Sequence, residues 1–88
     1  MHAVVITVDL KPGREAEQQP GLDMVVAATK ETPGFVSGTW VGDGTTGTCL
    51  LKYTDAATAQ AAADAVNPPP EASVALRSVG VYKVAAEA

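Results

Sequence analysis

The chain is short of nearly everything that holds a small protein together covalently or announces its chemistry. It has one cysteine, Cys49, so no internal disulfide can form, which fits a reducing compartment and excludes a disulfide-stapled secreted fold. It has one histidine, His2, and no close cluster of His, Cys, Asp and Glu, which argues against a zinc or iron site. No metal or other cofactor is expected. Basic residues number six against ten acidic, for a net charge of -4. With no basic patch, such a chain repels phosphate, which argues against a nucleic-acid binder. No apolar run approaches the roughly 18 residues of a membrane span, so no membrane partner is expected.

What is present excludes disorder. Hydrophobic residues make up 47% of the chain and charged residues only 18%. Eighty-eight residues make one domain, residues 1–88. Much of the apolar content is Ala and Val, so the bulky side chains available for a core are few. Ordering a chain of this size costs about as much as its buried area returns, and association of subunits is one common remedy. The opening stretch has no Lys or Arg ahead of its apolar residues and is interrupted by Asp9. It does not look like a secretory signal, and the expectation is a cytoplasmic protein.

Residues 2–10, with a β-branched run at 4–8, predict a strand that Pro12 and Gly13 end. Residues 14–32 read as helix in two pieces. A polar turn over 14–19 is followed by the main helix, starting near Pro20 because Pro fits a first helical position. Leu22, Val25, Val26 and Thr29 then share one face. Thr32, Pro33 and Gly34 stop it. Strands are predicted over 35–41 and 48–54, joined by a glycine-rich hairpin turn over 42–47. A phosphate-cradling role for that turn is the weaker reading, since no helix follows it and no P-loop Lys is present. Asp55 is a good N-cap for the Ala-rich run 56–66, and Pro68, Pro69 and Pro70 form a stiff connector. The last strand spans 74–84, with a bulge or bend at Gly80. Residues 85–88 read as a tail.

The order β-α-β-β-α-β, with right-handed crossovers, predicts a ferredoxin-like α+β fold. It is a four-stranded antiparallel sheet of strand order 4-1-3-2, with both helices on one face. An evenly closed hairpin sets Val41 opposite Thr48, Trp40 opposite Cys49, Gly38 opposite Leu51 and Val36 opposite Tyr53. The uncovered face should then carry Ala3, Val5, Thr7, Asp9, Phe35, Thr39, Val41 and Leu50, with Val79 and Val81 from the last strand. That is too apolar a patch to leave in water. Two such faces packed together predict a two-fold homodimer.

The candidate ligand pocket lies on the other side of the sheet. Ile6, Trp40, Cys49, Leu51 and Tyr53 are its best residues, with Val4 and Val36 beside them. The small side chains of Ala61, Ala62 and Ala65 leave room above. Such a space would suit a flat apolar ligand, with the Tyr53 hydroxyl, the Trp40 indole N–H and Cys49 as polar handles. Core packing is the competing reading of both aromatics. A Cys49–His2 dyad would need two residues that have no reason to meet. Arg77, Lys83 and Lys52 can be an anion site, although solvated charge and edge-strand protection explain them more simply.

Three segments carry a family resemblance. The Val-rich first strand runs into Lys11-Pro12-Gly13-Arg14-Glu15. The second opens at Thr32-Pro33-Gly34-Phe35-Val36-Ser37-Gly38. The third ends in Tyr53-Thr54-Asp55-Ala56-Ala57. Together the chain resembles the antibiotic biosynthesis monooxygenase-like members of the dimeric α+β-barrel superfamily over roughly residues 3–84. The resemblance implies a homodimer whose sheets form a barrel and a pocket between helices and sheet. That superfamily includes cofactor-free oxygenases of polycyclic phenols and quinols, haem-degrading oxygenases, and proteins with no known reaction. The haem-degrading branch uses an Asn in the first strand, a Trp in the second helix and a His after it. Those positions fall near Ile6, near Ala62 and in the 67–71 connector, and none carries the required residue. The expected function is therefore a homodimer binding a small apolar or aromatic ligand between helices and sheet, without demonstrated catalysis and with enzymatic activity left open. The alternatives are a cofactor-independent monooxygenase of a phenol or quinol, and a purely structural assembly module.

Overall fold

The computed structural model describes residues 1–88. Its elements are β1 (His2–Leu10), α1 (Glu15–Lys30), β2 (Phe35–Gly42), β3 (Thr46–Tyr53), α2 (Ala56–Asp64) and β4 (Val74–Lys83). All strand pairs are antiparallel, in the order β2-β3-β1-β4. This is the α+β, β-α-β-β-α-β arrangement that the order of elements predicts.

The strands stack their side chains in rows across the sheet. On the face toward α2, one row reads Val79, Ile6, Cys49, Trp40. The next reads Val81, Val4, Leu51, Gly38, and the last reads Lys83, His2, Tyr53, Phe35. The opposite, open face carries Ala3, Val5 and Thr7 from β1, flanked by Lys52, Leu50 and Thr48 and by Tyr82, Gly80 and Ser78.

Four local expectations are corrected. First, α1 is one helix from Glu15, with Pro20 inside it rather than at its start. Pro20 removes only the bond its N–H would have given the Ala16 carbonyl, on an exposed second turn. Upstream, Arg14 pairs with Glu17 and the Gly13 N–H donates to Glu15 Oε1 at 3.2 Å, which closes the first turn. Second, Phe35 rather than Val36 stands opposite Tyr53, because Val36 is an extra, bulged residue. The bulge turns Phe35 off the open face to meet Tyr53 edge-on, with ring centroids 5.8 Å apart at 74°. Third, Val79 and Val81 pair with Ile6 and Val4 and so face the helices, while Tyr82 takes the open side. Fourth, the β4 irregularity is at Arg77, between the partners of Thr7 and Val8, and Gly80 stays in register opposite Val5. Arg77 Nη2 reaches Asp9 Oδ1 at 3.0 Å.

The hairpin turn is closed by Asp43, whose Oδ1 accepts from the N–H of Thr45 at 2.9 Å and of Thr46 at 2.7 Å. These bonds hold the Asp43 carboxyl below the usual range. Gly44 takes φ +89°, which favours glycine. The turn therefore has a full structural explanation.

The core is small. Seven residues are buried, and six of them form one cluster: Val4, Cys49, Leu51 and Tyr53 from the sheet, Ala59 and Ala63 from α2. Ala59 and Ala63 are one turn apart, so they present a flat strip that lets α2 lie close to the strands. Asp55 caps the helix, accepting from the Thr58 N–H at 2.8 Å. At the entry to β2, Gly34 has φ +78°, and a side chain there would stand 2.6 Å from Thr58 Oγ1. Only glycine lets the first turn of α2 come so near.

Candidate functional site

The five pocket candidates, Ile6, Trp40, Cys49, Leu51 and Tyr53, all lie on the helix-facing side of the sheet. Their burial is graded. Tyr53 and Leu51, in the rows under α2, are closed off from water, and Cys49 nearly so. Ile6 and Trp40, in the row farther along, are only half-buried. Beyond them on the same face, Val79 is 38% and Leu76 39% exposed. The nine residues of α2 cover one end of this apolar surface and stop short of the other.

Helix α1 does not finish the task. None of its 16 residues is buried. Leu22, Val26 and Thr29 are half-buried, but Val25, placed on the inner face by its spacing, is 53% exposed, and Met24 is 74% exposed. The helix is tethered mainly at its ends. Arg14 Nη2 donates to the Glu71 carbonyl at 2.8 Å, and Thr32, just past the helix, meets the Tyr53 hydroxyl at 2.8 Å. Of the five candidates, Ile6 and Trp40 are the least covered.

The polar handles differ from one another. The Thr32 hydroxyl donates to the Thr29 carbonyl at 2.6 Å, so the Tyr53 hydroxyl donates its proton to Thr32 Oγ1. That proton is committed to structure. Cys49 is a buried thiol whose pKa burial pushes up, as in an inert small hydrophobe. Cys49 pairs with Ile6, four residues along β1 from His2, a separation of about 13 Å. A Cys49–His2 dyad is therefore not formed. His2 Nδ1 is itself buried without a partner. Trp40 remains the polar side chain of the half-open row. Its ring lies over Gly38, where an added side chain would stand 2.8 Å from the indole edge. No group of three His, Cys, Asp or Glu side chains converges anywhere in the fold.

Two of the three cations of the suggested anion site are engaged with the chain's own carboxylates, and Lys83, opposite His2, lies on the other face of the sheet from Lys52. Arg77 is bound to Asp9, and Lys52 Nζ reaches Glu87 Oε2 at 2.5 Å. The second contact was not visible in the sequence, where residues 85–88 read as a plain tail. The segment after β4 turns back over the open face, its start fixed by the Val84 N–H donating to the Met1 carbonyl at 3.0 Å. Between segment and sheet runs a groove of about 580 Å³, floored by Ala3, Val5 and Leu50 and walled by Lys52 and Tyr82. It lies on the side opposite the pocket candidates. Comparison of the chain with known protein families, with curated proteins and with solved structures returns no match.

Proposed function

We propose that the protein is a small homodimer that holds a flat apolar ligand between α1 and the sheet, beside Ile6 and Trp40, and performs no chemistry on it. The observation that carries this reading is that α1 buries none of its residues beside an apolar sheet face that α2 leaves half-open. A ligand inserted there would meet the half-buried Ile6 and Trp40 of the sheet. Absence of catalysis is supported by the committed Tyr53 proton, the buried Cys49 thiol and the distance of His2 from the row. A phenol bound beside Trp40 would find no imidazole or carboxylate on that row to take its proton.

Pairing of two copies is supported by the open face. There Val41 is 60% and Tyr82 59% exposed, and Leu50 is exposed between β1 and β2. A core of seven buried residues is small for a domain of this length, and a second copy would enlarge it.

The test is titration with 1-naphthol, a planar phenol, followed by Trp40 emission and by amide NMR, in air and without oxygen. A saturable emission change with shifts confined to α1, Ile6 and Trp40, alike in both atmospheres, is the expected result. No saturable change would end the ligand reading, and oxygen-dependent turnover would replace it with the oxygenase one. Sedimentation equilibrium tests the pairing.

A further inference from the structure

The open face is already partly occupied by the chain itself. Ala3 lies in the middle of that face, between Lys52 and Tyr82, and is buried. Leu50 and Tyr82, which line the same groove, stay exposed. Segment 84–87 crosses this end of the face with the groove between it and the floor, and its residues Ala85, Ala86 and Glu87 are themselves exposed. Its composition suits the place: Val84, Ala85 and Ala86 follow an apolar floor, and Glu87 ends on Lys52. It is held at two points, the Val84 bond to Met1 and the Glu87 pair with Lys52.

We propose that residues 84–87 are a strap that competes with a second copy of the chain for the open face, with the Lys52–Glu87 ion pair as its latch. The inference rests on the pairing proposed above and adds a control to it. The occupant that displaces the strap is another copy because the exposed apolar residues of the face, Val41, Leu50 and Tyr82, continue beyond the strap and need an extended apolar surface to cover them. The far end of the face is neutralised by Asp9 and Arg77, so Lys52 is the face's one cation whose partner must move. A half-exposed ion pair is a weak hold, which suits a device meant to be displaced. Held, the strap occupies the Lys52 end of the face in a single copy. Released, it opens the groove floor to the partner.

The latch gives the pairing an unusual salt response. Salt screens Lys52 from Glu87 and screens the repulsion between two copies of net charge -4, so both effects favour the dimer. The experiment is sedimentation equilibrium of the full chain and its Glu87→Gln, Lys52→Gln and double variants, at about 20 mM and about 500 mM NaCl. Glu87→Gln should tighten pairing about three- to fivefold at low salt and flatten the salt response. In the Lys52→Gln background it should change nothing further, because the latch is already gone. The Asp9–Arg77 pair is common to all four proteins and cancels. If the wild type pairs but Glu87→Gln leaves the affinity unchanged or weakens it, or acts equally with and without Lys52, the strap is not a latch. If no protein pairs at any concentration, the dimer and the strap's role fall together.

Discussion

The two helices are built from different material and end in different states. Helix α2 has nine residues, mostly Ala, yet it supplies two of the seven buried residues of the protein. Helix α1 is nearly twice as long, carries Leu22, Met24, Val25 and Val26, and buries nothing. Size of side chain is thus not what seats a helix here. A cap at Asp55, a strip of small residues one turn apart and the close pass at Gly34 bring α2 onto the sheet. Helix α1 has no side-chain cap, a Pro in its second turn and apolar residues pointing in several directions. The lesson is that a flat face docks and a bulky but scattered one does not.

The contrast can be broken from either side. Ala59→Leu should push α2 off Val4, Leu51 and Tyr53 and cost about 2–3 kcal/mol in urea unfolding. The same enlargement on the exposed side of α1, Ala27→Leu, should stay within about 0.5 kcal/mol. Hydrogen exchange reads the difference without mutation. Amides of α1 should exchange at least about tenfold faster than those of α2, and a ligand held against Trp40 should narrow the gap. Equal protection of the two helices would remove the basis of the site. Gly38→Ala should lift the Trp40 ring from the sheet, shift its emission and cost about 1 kcal/mol.

The smallest effect concerns the cap. The Thr58 N–H and hydroxyl hold the Asp55 carboxyl below its ordinary range. A carboxyl so depressed stabilises the fold above its unfolded pKa of about 3.9. That contribution is lost as pH falls through the lower, folded value. Asn caps helices about as well as Asp but does not titrate. Asp55→Asn should therefore leave the melting temperature at pH 7 nearly unchanged and reduce its fall in acid. An unchanged acid slope would mean that Asp43 and Glu17, depressed in the same direction, account for it alone.

Much of the architecture was legible in short windows. The β-branched run of β1, the Asp55 cap and the Gly-rich turn each carry their own local cause, and together they predict the element order. The hairpin register was legible as far as Gly38. It failed at Val36, because a one-residue bulge depends on Phe35 finding Tyr53, eighteen positions away, and no local pattern encodes that meeting. The faces of Val79 and Val81 failed for a related reason, since the bulge sits at Arg77 and not at the glycine that looked suited to it. The candidate site was legible as one face of the sheet. How deeply each of its residues is covered was not, because that depends on where α2 ends and how little α1 contributes. The Lys52–Glu87 contact joins residues 35 apart across an irregular segment and left no periodic trace.

The two edge strands share a small motif, a glycine followed two residues later by an aromatic ring that lies back over it. Trp40 covers Gly38 on β2, and Tyr82 covers Gly80 on β4. The two rings stand on opposite sides of the sheet. Trp40 is the single tryptophan, and Tyr82 is the exposed member of the two tyrosines. Trp40 emission in the unlabelled protein thus reports on the helix side alone, while Tyr82 shares the tyrosine signal with the buried Tyr53 and reports on the bare side by itself only in a Tyr53→Phe background.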